Sequence, residues 1–174
     1  MLLSFLLCLL PLLITADAHP ARCLCTADIS NGTIKGTVTF YDFWREDKFR
    51  VEGIIYGLTP GYHGFHIHEN SDLSNACANA GGHYNPSKEK HGCAYSKQRH
   101  AGDLGSIYAN RVGVATFKKD LSGQLHYPHK ICERSIVVHA HEDDCGKGGH
   151  DDSLTSGHSG KRIACATVRL QKCN

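Results

Sequence analysis

Six histidines and one aspartate in this chain stand at spacings that can build a site for two metal ions. His66 and His68 form a His-x-His pair within Gly64-Phe65-His66-Ile67-His68-Glu69. A strand turns alternate residues to one face, so both imidazoles can address the same ion. His83, His91, His100 and Asp103 fall within 21 positions of one another, in a stretch rich in Gly, Asn, Ser and Lys. That is a loop composition, able to fold around a second ion. His139 comes much later, at the end of Ile136-Val137-Val138. Imidazole suits copper and zinc, and a histidine and carboxylate set without thiolate fits a zinc site beside a copper site.

The chain has 13 histidines, and a histidine outside such a constellation is usually a surface or hydrogen-bonded residue. His19, His126, His129, His141, His150 and His158 are expected at the surface. His63, three residues before His66, faces the other side of the strand and is expected to bond to backbone.

The elements that must position these residues read as strands. Short segments rich in Val, Ile, Thr, Phe and Tyr recur between Gly, Asn, Asp and Pro: Thr33–Tyr41, Phe49–Tyr56, His63–Glu69, Ser106–Ala109, Val112–Phe117, Ser135–His139 and Arg162–Leu170. Helical periodicity is scarce, so the pattern predicts an all-β sandwich or barrel. Two long connections, 70–104 and 140–161, break the rhythm. Connections of this length tend to be functional. The first carries four of the ligand candidates and the second follows His139. Repeats, low-complexity tracts and an internal domain boundary are absent.

Residues 2–15 are almost entirely apolar and uncharged, and Ala16-Asp17-Ala18 offers a small-residue cleavage site. The expectation is a secretory signal peptide over 1–18 and a single domain over 19–174. The leader is too short for the roughly 20 apolar residues of a membrane span. One of the nine cysteines, Cys8, lies in that leader, which leaves eight for the exported chain. An even number in an oxidising compartment implies up to four disulfides, with about 105 possible pairings. Asn31-Gly32-Thr33 is a glycosylation sequon. A formal net charge of +2 without a polybasic run gives no reason to expect nucleic acid, anionic polymers or a membrane surface as partners.

The run Gly64–Glu69, the stretch from Gly82-His83-Tyr84-Asn85-Pro86 through Lys90-His91-Gly92 to Arg99–Gly105, and the segments Val137-Val138-His139, Gly146–Gly149 and Arg162-Ile163-Ala164-Cys165 resemble the copper/zinc superoxide dismutases. The resemblance covers about residues 24–170. It implies an eight-stranded antiparallel Greek-key β-barrel or sandwich with two functional loops. It also implies copper at His66, His68, His83 and His139, and zinc at His83, His91, His100 and Asp103. His83 would be shared as an imidazolate, a form that two flanking cations make accessible near neutral pH. Copper would cycle between Cu(II) and Cu(I), turning two superoxide anions and two protons into dioxygen and hydrogen peroxide. The bridge at His83 would release and take up a proton. Zinc, without redox chemistry, would hold the loop.

On the same resemblance Arg162 stands beside copper to hold the anionic substrate. Asp143, rather than its neighbour Asp144, links a copper histidine to a zinc histidine. Ser156 keeps a hydroxyl at the channel mouth, and Asp151 and Asp152 occupy the channel loop's acidic positions. Thr155 and His141 stand where lysine is common, which weakens steering, and Lys161 offsets part of that. Cys77 and Cys165 match the family's internal disulfide. Cys93 and Cys145 lie in regions that the metal network would bring together, which suggests a second pair. Cys23 and Cys25 open the first strand near the last, so one is expected to pair with Cys173 and the other with Cys132.

Where the family has an apolar dimer surface, this chain has Asn70, Ser71, Cys132, Glu133, Thr167 and Arg169, with only Leu170 apolar. A monomer or non-standard dimer is therefore expected. The leading expectation is a secreted superoxide dismutase. The alternative is a non-catalytic extracellular copper/zinc-binding protein on the same fold. A copper-delivery relative would carry a Cys-x-x-Cys motif, and Cys23-Leu24-Cys25 has the wrong spacing.

Overall fold

Alternating burial along the chain produces two antiparallel sheets packed face to face. The structure is a computed structural model that describes residues 22–42, 48–122 and 128–171. Its strands are β1 (Arg22–Asn31), β2 (Ile34–Asp42), β3 (Lys48–Tyr56), β4 (Gly61–His68), β5 (Asp103–Ala109), β6 (Ala115–Ser122), β7 (Ser135–His139), β8 (Arg162–Thr167) and β9 (Arg169–Leu170). One sheet has the order β6-β3-β2-β1-β9 and the other β5-β4-β7-β8, so the chain crosses between sheets in the Greek-key manner. Val38, Phe40, Phe49, Val51 and Ile55 from the first sheet meet Phe65, Ile67, Leu104, Ile107, Ile136 and Val138 from the second in one buried cluster. Removing that apolar surface from water is the main force holding the sheets together.

The strand that bears the His-x-His pair is buried on both faces. Phe65 and Ile67 point into the core between the sheets, while His66 and His68, equally buried, lie beneath the long connections. These connections are pinned to β4 by backbone bonds. Ile67 donates to Gly102 O (2.9 Å), Tyr84 donates to Ile67 O (2.8 Å), and Gly64 donates to His141 O (2.7 Å). A Cβ at Gly102 would overlap the carbonyl oxygen of Ile67, so the close approach of loop and strand requires glycine there.

Several strands depart from their expected limits, and at two of them competing hydrogen bonds give the reason. The strand expected at Val112–Phe117 begins at Ala115 instead, because Asn110 Oδ1 accepts from the N–H groups of Val112 and Val114 and folds that segment into a turn. The strand expected at Ser106–Ala109 starts earlier, at Asp103. The segment Arg162–Leu170 is split at Val168, whose backbone bonds Arg134 O and Glu133 N–H instead, so β9 passes to the other sheet and pairs with β1. The eight-strand pattern thus gains a two-residue ninth strand at its end.

Three disulfides link the described residues: Cys25–Cys132, Cys77–Cys165 and Cys93–Cys145. Cys132 is therefore tied to β1. Residues 1–18, His19, His126 and Cys173 lie outside the described residues, as does the side chain of His129. His141, His150 and His158 are exposed. His63 is buried, with its ring nitrogens 2.8 Å from His139 O and 2.9 Å from Thr59 O.

Candidate metal centre

The seven residues singled out by spacing come together in two clusters that share one ring. His66, His68, His83 and His139 form the first, and His83, His91, His100 and Asp103 the second. Within each, one ligand atom per residue lies within 4.8 Å of the others. All seven are buried.

In the first cluster, one nitrogen of each strand histidine is used outward, which leaves the other facing in. His66 Nε2 donates to Asp143 Oδ2 (2.9 Å), His68 Nδ1 to Gly81 O (3.0 Å) and His139 Nδ1 to Gly160 O (3.2 Å). The remaining nitrogens carry lone pairs. His68 Nε2 and His139 Nε2 face each other at 3.3 Å, while His66 Nδ1 and His83 Nε2 are buried without a hydrogen-bond partner. Inward lone pairs without donors are costly in a dry site, and a bound cation would satisfy them. Burial lowers the pKa of His66 and His68, and the neighbouring His83 adds to the effect. Burial also brings His139 down to about 4. These rings are uncharged at neutral pH, as metal ligands must be.

The second cluster converges on one carboxylate oxygen. His83 Nδ1, His91 Nδ1 and His100 Nδ1 lie 2.8, 3.0 and 3.2 Å from Asp103 Oδ1. Asp103 Oδ2 accepts from Gly92 N (3.1 Å) and His100 N (2.7 Å), which fixes the carboxylate plane. Burial resists the charge of Asp103, but bonds from His100, His83 and His91 outweigh it and hold the carboxyl well below the usual range. Burial also opposes a charge on His91, yet Asp103 and Asp143 together raise it to about 9. A metal entering this cluster near neutral pH therefore displaces a proton from His91. Three imidazoles and a carboxylate form a donor set suited to zinc, and four inward imidazoles one suited to copper.

His83 is set between the clusters by its backbone, which forms an isolated β-bridge with His68. The guanidinium of Arg134 stacks on the next residue, Tyr84, 3.7 Å from the ring centroid, and Arg134 Nη1 donates to Glu69 O (2.7 Å). The strand end and the loop are thereby clamped together.

Asp143 joins the clusters from behind, with Oδ2 on His66 and Oδ1 on His91 Nε2 (2.8 Å). Asp144 instead accepts from Ser153 Oγ and Gly146 N, so it shapes its own loop. Gly157, at φ 66°, backs this bridge, and a Cβ there would collide with the Asp143 carboxylate and the His91 ring. Arg162 donates through Nη1 to Cys77 O (2.6 Å) and Ala78 O (3.0 Å), and through Nη2 to Gly81 O (2.5 Å). Those carbonyls belong to the segment that Cys77–Cys165 fastens to β8. In the second loop, Asp152 binds His158 Nδ1 (2.7 Å) and accepts from Ser156 Oγ (3.2 Å), while Asp151, Thr155, Lys161 and His141 are exposed.

Sequence reasoning did not single out Arg134, or the stacking of His150 on His158 with centroids 3.7 Å apart. Neither has a local signal, since each contact depends on chain segments brought together by folding.

Comparison with known proteins agrees with this chemistry. Residues 34–168 match the family described as copper/zinc superoxide dismutase (SODC). Superoxide dismutase [Cu-Zn] 2 of Brassica juncea is 44% identical over 143 residues, which is 82% of this chain and 93% of that protein. Superoxide dismutase [Cu-Zn] 2 of Mesembryanthemum crystallinum is 43% identical over 142 residues, 81% and 90% of the two chains. The crystal structure of the clock protein EA4 superposes with a TM-score of 0.80 at 37% identity, covering 85% of this chain and 94% of that one. The chain belongs to the copper/zinc superoxide dismutase family: it is a superoxide dismutase, and copper and zinc are its cofactors.

Proposed function

We propose that the chain is a secreted superoxide dismutase in which His66, His68, His83 and His139 hold copper and His83, His91, His100 and Asp103 hold zinc. The observation that carries this reading is the shared ring: His83 Nδ1 faces Asp103, and its buried Nε2 has no other partner. Copper supplies a one-electron couple that converts two superoxide anions and two protons into dioxygen and hydrogen peroxide, while zinc has no redox change. His83 can hold a proton at Nε2, inside the first cluster, where the forming peroxide needs one. Asp143 fixes the orientation of His66 and His91 through their other nitrogens. Arg162, braced by three carbonyls, offers a fixed positive charge to the anionic substrate.

Secretion is supported by the apolar leader over 1–18 and by the three disulfides among the described residues. The exported domain would span 19–174. Asn31, the sequon asparagine, sits at the β1–β2 turn, with Oδ1 accepting from Cys165 N (3.0 Å). Cys23 and Cys173 are the mature cysteines left for a fourth disulfide. Protein purified from the medium of an expressing eukaryotic cell tests these readings together. It is expected to begin at His19, carry a glycan at Asn31, contain one copper and one zinc, and dismutate superoxide. A folded, metal-loaded chain without dismutation would favour the non-catalytic reading.

The exported protein is expected to be a monomer or a non-standard dimer rather than the dimer common in the family. Glu133 is exposed at φ 67°, and Asn70, Ser71 and Arg169 are exposed beside it in the segments that would have to meet. A two-fold interface would bury the Glu133 and Arg169 charges twice, along with the polar Asn70 and Ser71, and an unpaired buried charge costs several kcal/mol. Sedimentation equilibrium at micromolar concentration checks this, and a stable dimer that uses these segments would overturn it.

A further inference from the structure

We propose that the Cys93–Cys145 disulfide is a positioning element of the metal centre, holding Asp143 against His91 so that the second cluster keeps its shape when no ion occupies it. This inference rests on the reading of that cluster as a zinc site. The two cysteines come from the two long connections, 52 residues apart in sequence. Each stands two positions beyond a residue of the network, Cys93 after His91 and Cys145 after Asp143. The covalent bond and the hydrogen bond from His91 Nε2 to Asp143 Oδ1 (2.8 Å) therefore close a small ring through Gly92 and Asp144.

Both arms of the ring make further bonds to the centre. Gly92 N donates to Asp103 Oδ2 (3.1 Å), and Cys145 N donates to Asp143 Oδ1 (2.7 Å). The turn after Cys145 lies so close that a Cβ on Gly146 would sit 2.8 Å from His91 O. Without the bridge, two long loops would have to find each other at the entropic cost of closing a long chain segment. With it, the partners of the His91–Asp143 bond stay at high effective concentration whatever the occupancy of the site. An ion that leaves then departs from a formed cage and can rebind, rather than releasing the two loops.

Cys25–Cys132 provides the control. It closes a longer loop, with a separation of 107, and although Cys132 stands two positions before the clamp residue Arg134, neither cysteine lies within two positions of a residue of the clusters or of Asp143. General stabilisation by cross-linking would make the two disulfides equivalent, whereas positioning would not.

The test compares metal-loaded wild type with the paired variants C93A/C145A and C25A/C132A, reading zinc transfer to a chromogenic chelator at neutral pH. C93A/C145A is expected to release zinc at least about tenfold faster, the scale on which outer hydrogen-bond partners act on metal sites. C25A/C132A is expected to release it at the wild-type rate even where its melting temperature falls. Equal acceleration in both, or none in C93A/C145A, overturns the proposal. Should C93A/C145A not fold, selective reduction and alkylation of Cys93 and Cys145 in the loaded protein gives the same comparison. Metal analysis of the wild type separately tests the zinc assignment. If it binds no zinc, amide exchange at His91 in the metal-free proteins decides: faster exchange in C93A/C145A alone supports positioning, and unchanged exchange overturns it.

Discussion

Replacing His139 with alanine is expected to empty the copper site and lower dismutation by more than about a hundredfold, with zinc content and fold retained. An outer hydrogen-bond partner of a ligand is typically worth about 10–100-fold in metal affinity, and removing a ligand itself exceeds that. His139 contributes its inward Nε2 to the first cluster only, so His83, His91, His100 and Asp103 keep a complete set. Its other nitrogen is bonded to Gly160 O alone, at 3.2 Å. Losing that bond costs on the order of 1 kcal/mol, small against the burial of Ile136 and Val138 on the same strand. The backbone oxygen of His139 still accepts from His63, so the end of β7 remains anchored. Elemental analysis, dismutation rate and melting temperature separate these effects. A copper-occupied, folded variant with an unaltered rate would remove His139 from the ligand set.

Arg162→Ala is expected to slow turnover by about tenfold or more and to flatten its dependence on salt. The guanidinium is held in one orientation by Cys77, Ala78 and Gly81, and Gly81 O also receives the bond from His68 Nδ1. The charge thus sits one carbonyl away from the first cluster. Its influence is already visible in the lowered pKa of His139, where burial acts first and Arg162 adds to it. Preorganised donors aimed at a reacting anion are worth about 10²–10³-fold when fully enclosed. Arg162 is only partly buried, and solvent screening places it toward the lower end. Salt acts by screening charge over about 8 Å at physiological ionic strength, so removing the cation removes part of what salt can screen. Lysine at this position keeps the charge but loses the planar fork that three carbonyls grip, and an intermediate rate is expected. Retention of both rate and salt slope in Arg162→Ala would reduce the residue to a brace for the Cys77 segment.

Much of the centre was legible in the sequence because its signals are local. A period of two puts His66 and His68 on one side of β4, and this holds wherever the strand lies. The clustering of His83, His91, His100 and Asp103 in a loop composition marked the second group in the same way. Strand limits were less legible where side chains compete with the ladder. Val112 has the composition of a strand, yet the Asn110 carboxamide captures its N–H and delays β6. The split at Val168 was equally hidden, because the groups that bond its backbone lie over thirty positions earlier in the chain.

By itself the sequence determined which donors are present, their spacing, and the alternation that places the His-x-His pair beneath the loops. Only the tertiary structure decided how those donors are divided and held. Asp143 and Asp144 are adjacent carboxylates of the same chemistry, and one reaches His66 and His91 while the other binds Ser153, because the second loop turns between them. Cys25 meets Cys132 although the two stand 107 positions apart, because the fold packs the segment before β7 against the buried side of β1. His83 lies between two clusters because its backbone bridges to His68 and Arg134 stacks on the residue beside it. Hydrogen bonds between segments far apart in the chain depend on ångström-level proximity, and that is created only when the two sheets and both loops close around a common core.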